Sequence, residues 1–143
     1  MNKKDDYQAV FNNGKHFSPS EIDGTDDAGF SAANDYVAEK GIDLNERLIR
    51  NKQATFLFRM NSDAMVGAGI FSGDTLVVDR SITHVNGKVV IAVLNGEMMV
   101  RRIEKTINRV RLIPETNNLA SIEIDPFAEF TVWGVVIYSI HNV

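Results

Sequence analysis

Residues 88–103 read Lys-Val-Val-Ile-Ala-Val-Leu-Asn-Gly-Glu-Met-Met-Val-Arg-Arg-Ile. Two short apolar runs flank the pair Asn95-Gly96. Asn-Gly is the strongest short-range signal for a two-residue type I′ turn, because both central residues of that turn need a positive φ. The stretch therefore predicts an antiparallel hairpin, with strands at Lys88–Leu94 and Glu97–Ile103.

Five further runs have the same short, Val-, Ile- and Phe-rich texture and are separated by turn residues. They lie at Ala54–Met60, Thr75–Asp79, Arg109–Ile113, Ser121–Ile124 and Phe130–Ile140. Seven short strands joined by tight turns predict a mainly β fold, a small antiparallel barrel or folded sheet. The sequence shows no internal repeat and no low-complexity segment.

The N-terminal part of the chain differs from this β-rich part. Residues 1–29 are polar and rich in Asp, Gly and Ser, so we expect a flexible or docked arm that cannot fold alone. Residues 30–143 are expected to form one domain. It opens with a helix that Ser31 caps and Gly41 ends, and a second short helix is capped by Asp43 and runs to about Ile49.

The composition of the 143-residue chain excludes several classes of function. Hydrophobic residues make up 44% and charged residues 24%, which is ordinary for a globular protein. The net charge is −4, which argues against wrapping nucleic acid. Cysteine is absent and the three histidines lack metal-ligand spacing, so neither a metal site nor a cofactor is expected. No apolar stretch has the length of a signal peptide or a membrane span, which predicts a cytoplasmic protein.

Several stretches together resemble the LexA/UmuD family of self-cleaving serine–lysine peptidases. In that family a serine–methionine pair ends a strand, a Gly-Asp strand comes next, and a later stretch carries the lysine. The matching stretches are Asn61–Ile70, Ser72–Asp79, Gly87–Val93, Gly96–Ile103, Leu112–Glu115 and Val132–Ile137. The resemblance runs from about residue 28 to the end and implies the family's small β domain.

Two features favour the UmuD branch of this family over LexA and the phage repressors. No DNA-reading helix-turn-helix fits into residues 1–30. This also argues against another hypothesis, that the chain is a truncated transcriptional repressor. The segments Ala33–Val37 and Ile42–Asn45 look like the stretch that follows the cleavage point in the UmuD branch. In that branch the arm is removed by self-cleavage.

The resemblance implies where the chemistry of self-cleavage would take place. A serine hydroxyl needs a base to become a nucleophile, and a buried lysine can lose its proton and serve as that base. The nucleophile position falls on Ala64 and the base position on Arg101. The main-chain amides around Asp63 and Ala64 would hold the oxyanion, with Met65 as a neighbour of the site. The cleaved bond would be Ala28-Gly29.

Both departures from the family pattern predict that this chain does not cut itself. Alanine has no nucleophile, and the guanidinium of Arg101 stays protonated. Two origins stay open at this point: an engineered replacement that keeps the arm intact, and a natural relative that never cleaves. Substitutes are weak. Ser62 lies about 6–7 Å along a strand from the nucleophile position, which is too far for the same oxyanion hole. Lys105 is expected to be a solvated lysine and not a base. Asp63 is expected to cap a turn and Asp79 to end a strand, so neither is expected to act as an acid or a base.

The resemblance also implies partners and a role. We expect a homodimer, built mainly from the β domain because the Val132–Ile140 run offers more apolar strand edge than a monomer leaves open. By resemblance the chain would regulate error-prone translesion synthesis in the SOS response. Its partners would be a Y-family DNA polymerase of the UmuC type and a RecA filament on single-stranded DNA. The alternative is a non-enzymatic interaction module that acts by dimerisation or inhibition.

Overall fold

The structure, a computed structural model, describes residues 40–143. Two compact units, Met1–Arg47 and Leu48–Val143, divide the chain, and the second carries the β-sheet. The predicted arm, its boundary at residues 29 and 30 and the helix capped by Ser31 lie outside the described residues. Among residues 40–143, no helix is long and apolar enough to cross a lipid bilayer.

Helix α1 spans Leu44–Leu48 and begins where the sequence predicts it. Asp43 precedes the helix, and its Oδ1 accepts a hydrogen bond from the Asn45 N–H at 2.9 Å. This contact satisfies one of the backbone donors that the first turn leaves without a partner. The predicted cap at Asp43 is therefore confirmed.

Seven strands form one antiparallel sheet in the order β1-β2-β7-β3-β4-β5-β6. All seven predicted runs are strands, and their bounds differ from the predicted ones by at most two residues. The strands are β1 Thr55–Arg59, β2 Thr75–Asp79, β3 Val89–Leu94, β4 Glu97–Lys105, β5 Val110–Ile113, β6 Ile122–Glu123 and β7 Phe130–Ile140. The hairpin turn between β3 and β4 has φ of 50° at Asn95 and 85° at Gly96, as a type I′ turn requires.

Strand β7 crosses from one part of the sheet to the other. It pairs with β3 through Phe130–Val135 and with β2 through Val135–Ile140. A register shift interrupts each of these pairings, which leaves Trp133 and Ile137 outside the paired positions. Gly134 lies at the crossing because a Cβ there would meet Val78 Cγ1 at 2.7 Å. Within the described residues, each half of β7 thus has one partner strand.

Two apolar clusters pack on the sheet, and neighbouring strand residues alternate between them. Ile91 belongs to the first cluster and Val90 to the second. The first holds Met60, Ala64, Met65, Ile70, Leu76, Val78 and Ile91, and the second holds Val85, Val90, Ala92, Ile103, Leu112 and Val135. Each large side chain buried in them contributes about 1.5–3 kcal/mol through its removal from water, so the clusters fix the strands that carry the site.

Candidate functional site

Ala64 lies in the turn that follows β1, and only 2% of it is exposed. The next residue, Met65, is fully buried in the same apolar cluster. The turn begins with the exposed polar residues Asn61-Ser62-Asp63 and continues into a 3₁₀ turn at Val66–Ala68. The turn is polar at its surface and places the small residue Ala64 in the core. A nucleophilic side chain at this position would be buried.

The backbone of Glu115 holds this turn from both sides. Its N–H donates to the Ala64 carbonyl at 2.7 Å, and its carbonyl accepts from the Gly67 N–H at 2.7 Å. A Cβ at position 67 would meet the Glu115 carbonyl oxygen at 2.8 Å, so the close approach requires glycine. The carboxylate of Glu115 forms an ion pair with Arg102 Nε at 2.7 Å. The Ala64 turn is therefore fixed to the end of β5 and, through it, to β4.

Arg101 lies on β4 opposite Val90 and is half-buried. Its Nη1 donates to the Val100 carbonyl at 2.8 Å, whereas its Nε is buried and has no hydrogen-bond partner. Burial lowers the pKa of Arg101, and the charge of Glu97 opposes that shift. Because a buried donor without a partner costs free energy, a guanidinium fits this slot imperfectly.

The structure brings the strand that carries Arg101 past the Ala64 turn. Val100 packs against the cluster that contains Ala64, and Arg102 reaches the turn through Glu115. The two neighbours of Arg101 on β4 thus connect this strand with the apolar cluster and with Glu115. Sequence reasoning missed the roles of Arg102 and Glu115, because an ion pair between residues 13 positions apart leaves no local pattern.

The possible substitutes have other structural roles. Ser62 Oγ accepts a hydrogen bond from the Ala64 N–H at 3.3 Å, so it caps the turn and occupies one amide expected to hold the oxyanion. Lys105 is exposed at the end of β4. Asp79 ends β2, and its Oδ1 accepts hydrogen bonds from the N–H and hydroxyl of Ser81, whereas Asp63 is exposed. Among residues 40–143, no group of three potential ligand side chains could hold a metal ion.

Asp74 is a buried carboxylate that directly precedes β2. Its Oδ2 accepts from the Phe71 N–H at 2.8 Å and the Ser139 hydroxyl at 3.0 Å, and its Oδ1 lies 2.6 Å from His141 Nδ1. The hydrogen bond from Phe71 is the main cause of a lowered pKa at Asp74, burial opposes it, and His141 and Ser139 lower the pKa further. Asp74 therefore joins the turn before β2 to the end of β7.

We expect this contact to be sensitive to acid. A carboxyl whose pKa is lower in the folded state adds stability above its unfolded value of about 4, and that stability is lost as pH falls below it. Asp74→Asn should therefore unfold at lower urea concentration at pH 6 and lose less stability than the parent between pH 5 and pH 3. Asp63→Asn, which removes an exposed carboxylate, is the control. Equal acid sensitivity in the parent and in Asp74→Asn would contradict this role.

Comparison with known proteins identifies relatives of this chain. The family model for Peptidase S24-like proteins matches residues 22–137. Protein SamA of Salmonella typhimurium is 40% identical over 116 residues, which cover 80% of this chain and 79% of SamA. Protein MucA of Escherichia coli is 34% identical over 116 residues, which cover 79% of this chain and 77% of MucA. The LexA repressor of Clostridium kluyveri is 35% identical over 77 residues, which cover 54% of this chain and 38% of the repressor.

Proposed function

The chain belongs to the peptidase S24 family, and on that premise we propose that it is a UmuD-like regulator of error-prone translesion synthesis in the SOS response that persists in its uncut form. The single observation that carries the proposal is the Ala64 turn. Ala64 is buried in the core and its turn is held on both sides by Glu115, while the side chain at position 64 is a methyl group. The scaffold of the site is present and its nucleophile is not.

The chemistry at this turn follows from the residues present. A methyl group at position 64 cannot attack a carbonyl carbon, and a guanidinium at position 101 holds its proton even though burial lowers its pKa. The bond Ala28-Gly29 therefore stays intact. The uncut chain forms a homodimer in the cytoplasm, binds a Y-family polymerase of the UmuC type and responds to a RecA filament without releasing its arm.

A second candidate function is a non-enzymatic interaction module. It is favoured by the absence of a reactive group at both Ala64 and Arg101, while the contacts of Glu115 with the Ala64 turn and with Arg102 are in place. Such a chain would act by pairing with a cleavage-competent relative and holding it in an uncut assembly. The two functions differ in one measurable respect, because the regulator requires a polymerase partner whereas the module requires only a second subunit of the same fold.

Both candidates predict that the purified chain remains whole under alkaline conditions, which favour deprotonated lysine in relatives that cut themselves. Intact mass spectrometry after prolonged incubation, with and without a RecA filament, should show only the full-length mass. A fragment that begins at Gly29 would contradict the proposal. Ser62→Ala would then test whether Ser62 had acted as the nucleophile.

A further inference from the structure

A cleft of about 630 Å³ opens where β7 passes from β3 to β2. Its lining includes the β7 stretch Val135–Tyr138 and the segment Gly87–Val89 that leads into β3, together with Ile82. Most of these side chains are apolar. Neither Ala64 nor Arg101 lines the cleft, so what it binds does not depend on the cleavage chemistry.

Cationic side chains dominate the charged lining of this cleft. Arg50, Lys88 and Arg102 line it together with a single carboxylate, Asp79. Arg50 and Lys88 are exposed, and within residues 40–143 neither side chain makes a hydrogen bond or an ion pair. Arg102 is already held by Glu115 and by the Gly87 carbonyl. Two unpaired cations therefore flank an apolar lining on a chain whose net charge is −4.

We propose that this cleft binds an extended acidic peptide segment of a partner protein, in which carboxylates alternate with apolar side chains. Arg50 and Lys88 would pair with the carboxylates, and the apolar residues would pack on Ile82 and the β7 stretch. Successive side chains of an extended strand point to opposite sides, so a single peptide can present both surfaces. Charge complementarity at such a rim contributes specificity and a faster association.

Peptide is favoured over the other anions that two cations could attract. A nucleic acid strand gains most of its affinity from many phosphate contacts, and the acidic chain offers only a small cationic patch. Inorganic phosphate would leave the apolar lining of a 630 Å³ cleft uncovered. An alternating acidic peptide contacts both the cationic and the apolar side chains of the cleft.

The test uses the full chain and a fluorescein-labelled hexapeptide, Glu-Val-Asp-Val-Glu-Val, followed by fluorescence anisotropy. Arg50→Gln with Lys88→Gln should weaken binding roughly fivefold to tenfold. Lys52→Gln with Lys105→Gln removes two exposed cations outside the cleft and should leave binding unchanged. Rising ionic strength should weaken peptide binding to the parent chain, as the two cleft substitutions do.

A second measurement covers the case in which the cleft variant folds poorly. Amide resonances of the parent should shift on peptide addition at Gly87, Val135 and Tyr138, and not at the β3–β4 turn. Three results would overturn the proposal: equal binding of the uncharged peptide Gln-Val-Asn-Val-Gln-Val, unchanged affinity in a folded cleft variant, or displacement of the peptide by an oligothymidylate that binds more tightly.

Discussion

Replacing Ala64 with serine and Arg101 with lysine in the same chain should produce self-cleavage between Ala28 and Gly29. The serine would stand at the buried position of Ala64, in a turn that the backbone of Glu115 already holds. The partly buried slot that lowers the pKa of Arg101 would also favour a neutral lysine. We expect a fragment that begins at Gly29 to accumulate during alkaline incubation, as followed by mass spectrometry.

Each single change should give little cleavage. Ala64→Ser alone supplies a hydroxyl without a base, and a positioned base accelerates such a reaction by about 10²–10⁴. Arg101→Lys alone supplies a base without a nucleophile, so the base has no hydroxyl to activate. The two effects should be strongly non-additive, because nucleophile and base act as one unit. A folded double variant that stays uncut would contradict the expectation and favour the interaction module.

The pH dependence of the double variant gives an independent check. Cleavage should rise with pH as the lysine at position 101 loses its proton. Glu97 raises the pKa of the cation at this position, so Glu97→Gln in the double variant should move the rise toward lower pH. Glu104→Gln removes a carboxylate on the same strand, at an exposed position, and serves as the control. If Glu97→Gln leaves the pH profile of cleavage unchanged, the lysine introduced by Arg101→Lys is not the base.

Local sequence signals account for most of the fold. Strand alternation and turn chemistry act over a few residues, so the seven strands and the Asn95-Gly96 turn were predictable from the chain alone. The crossing of β7 was not, because it depends on bulges at Trp133 and Ile137 and on the close approach of Gly134 to Val78. These are tertiary contacts with no period in the sequence.

The candidate site, like the fold, was predictable from the sequence only in part. Ala64 and Arg101 could be identified by resemblance, and they remain predictions as reactive positions. The links that hold their surroundings join distant residues, as Glu115 does with Ala64 and His141 with Asp74. Asp74 belongs to the resembling stretch Ser72–Asp79, and only the fold shows that its carboxylate is buried and bonded to the end of β7.

The end of β7 also supplies the surface through which we expect two copies to associate. In the described part of the chain, Ser139 and Ile140 lie beyond the lining of the cleft and pair only with β2, so their other edge presents backbone donors and acceptors without a strand partner. Ile140 lies on this edge and is 46% exposed. The register thus leaves this edge free on the second half of the Val132–Ile140 run, and the homodimer itself stays a prediction. Such an edge is covered when a second copy pairs with it.

Ile140→Glu should convert the dimer to monomer at micromolar concentration. In a two-fold symmetric interface each change occurs twice, and the two carboxylates would be introduced near one another. A central interface residue is worth about 2 kcal/mol or more, so the dissociation constant should rise roughly 30-fold or more. Met98→Glu is the matched control, because Met98 is 49% exposed on β4 and receives the same charge. Sedimentation velocity distinguishes the outcomes: a parent that is monomeric throughout this range contradicts the dimer, and an Ile140→Glu variant as dimeric as Met98→Glu places the interface elsewhere.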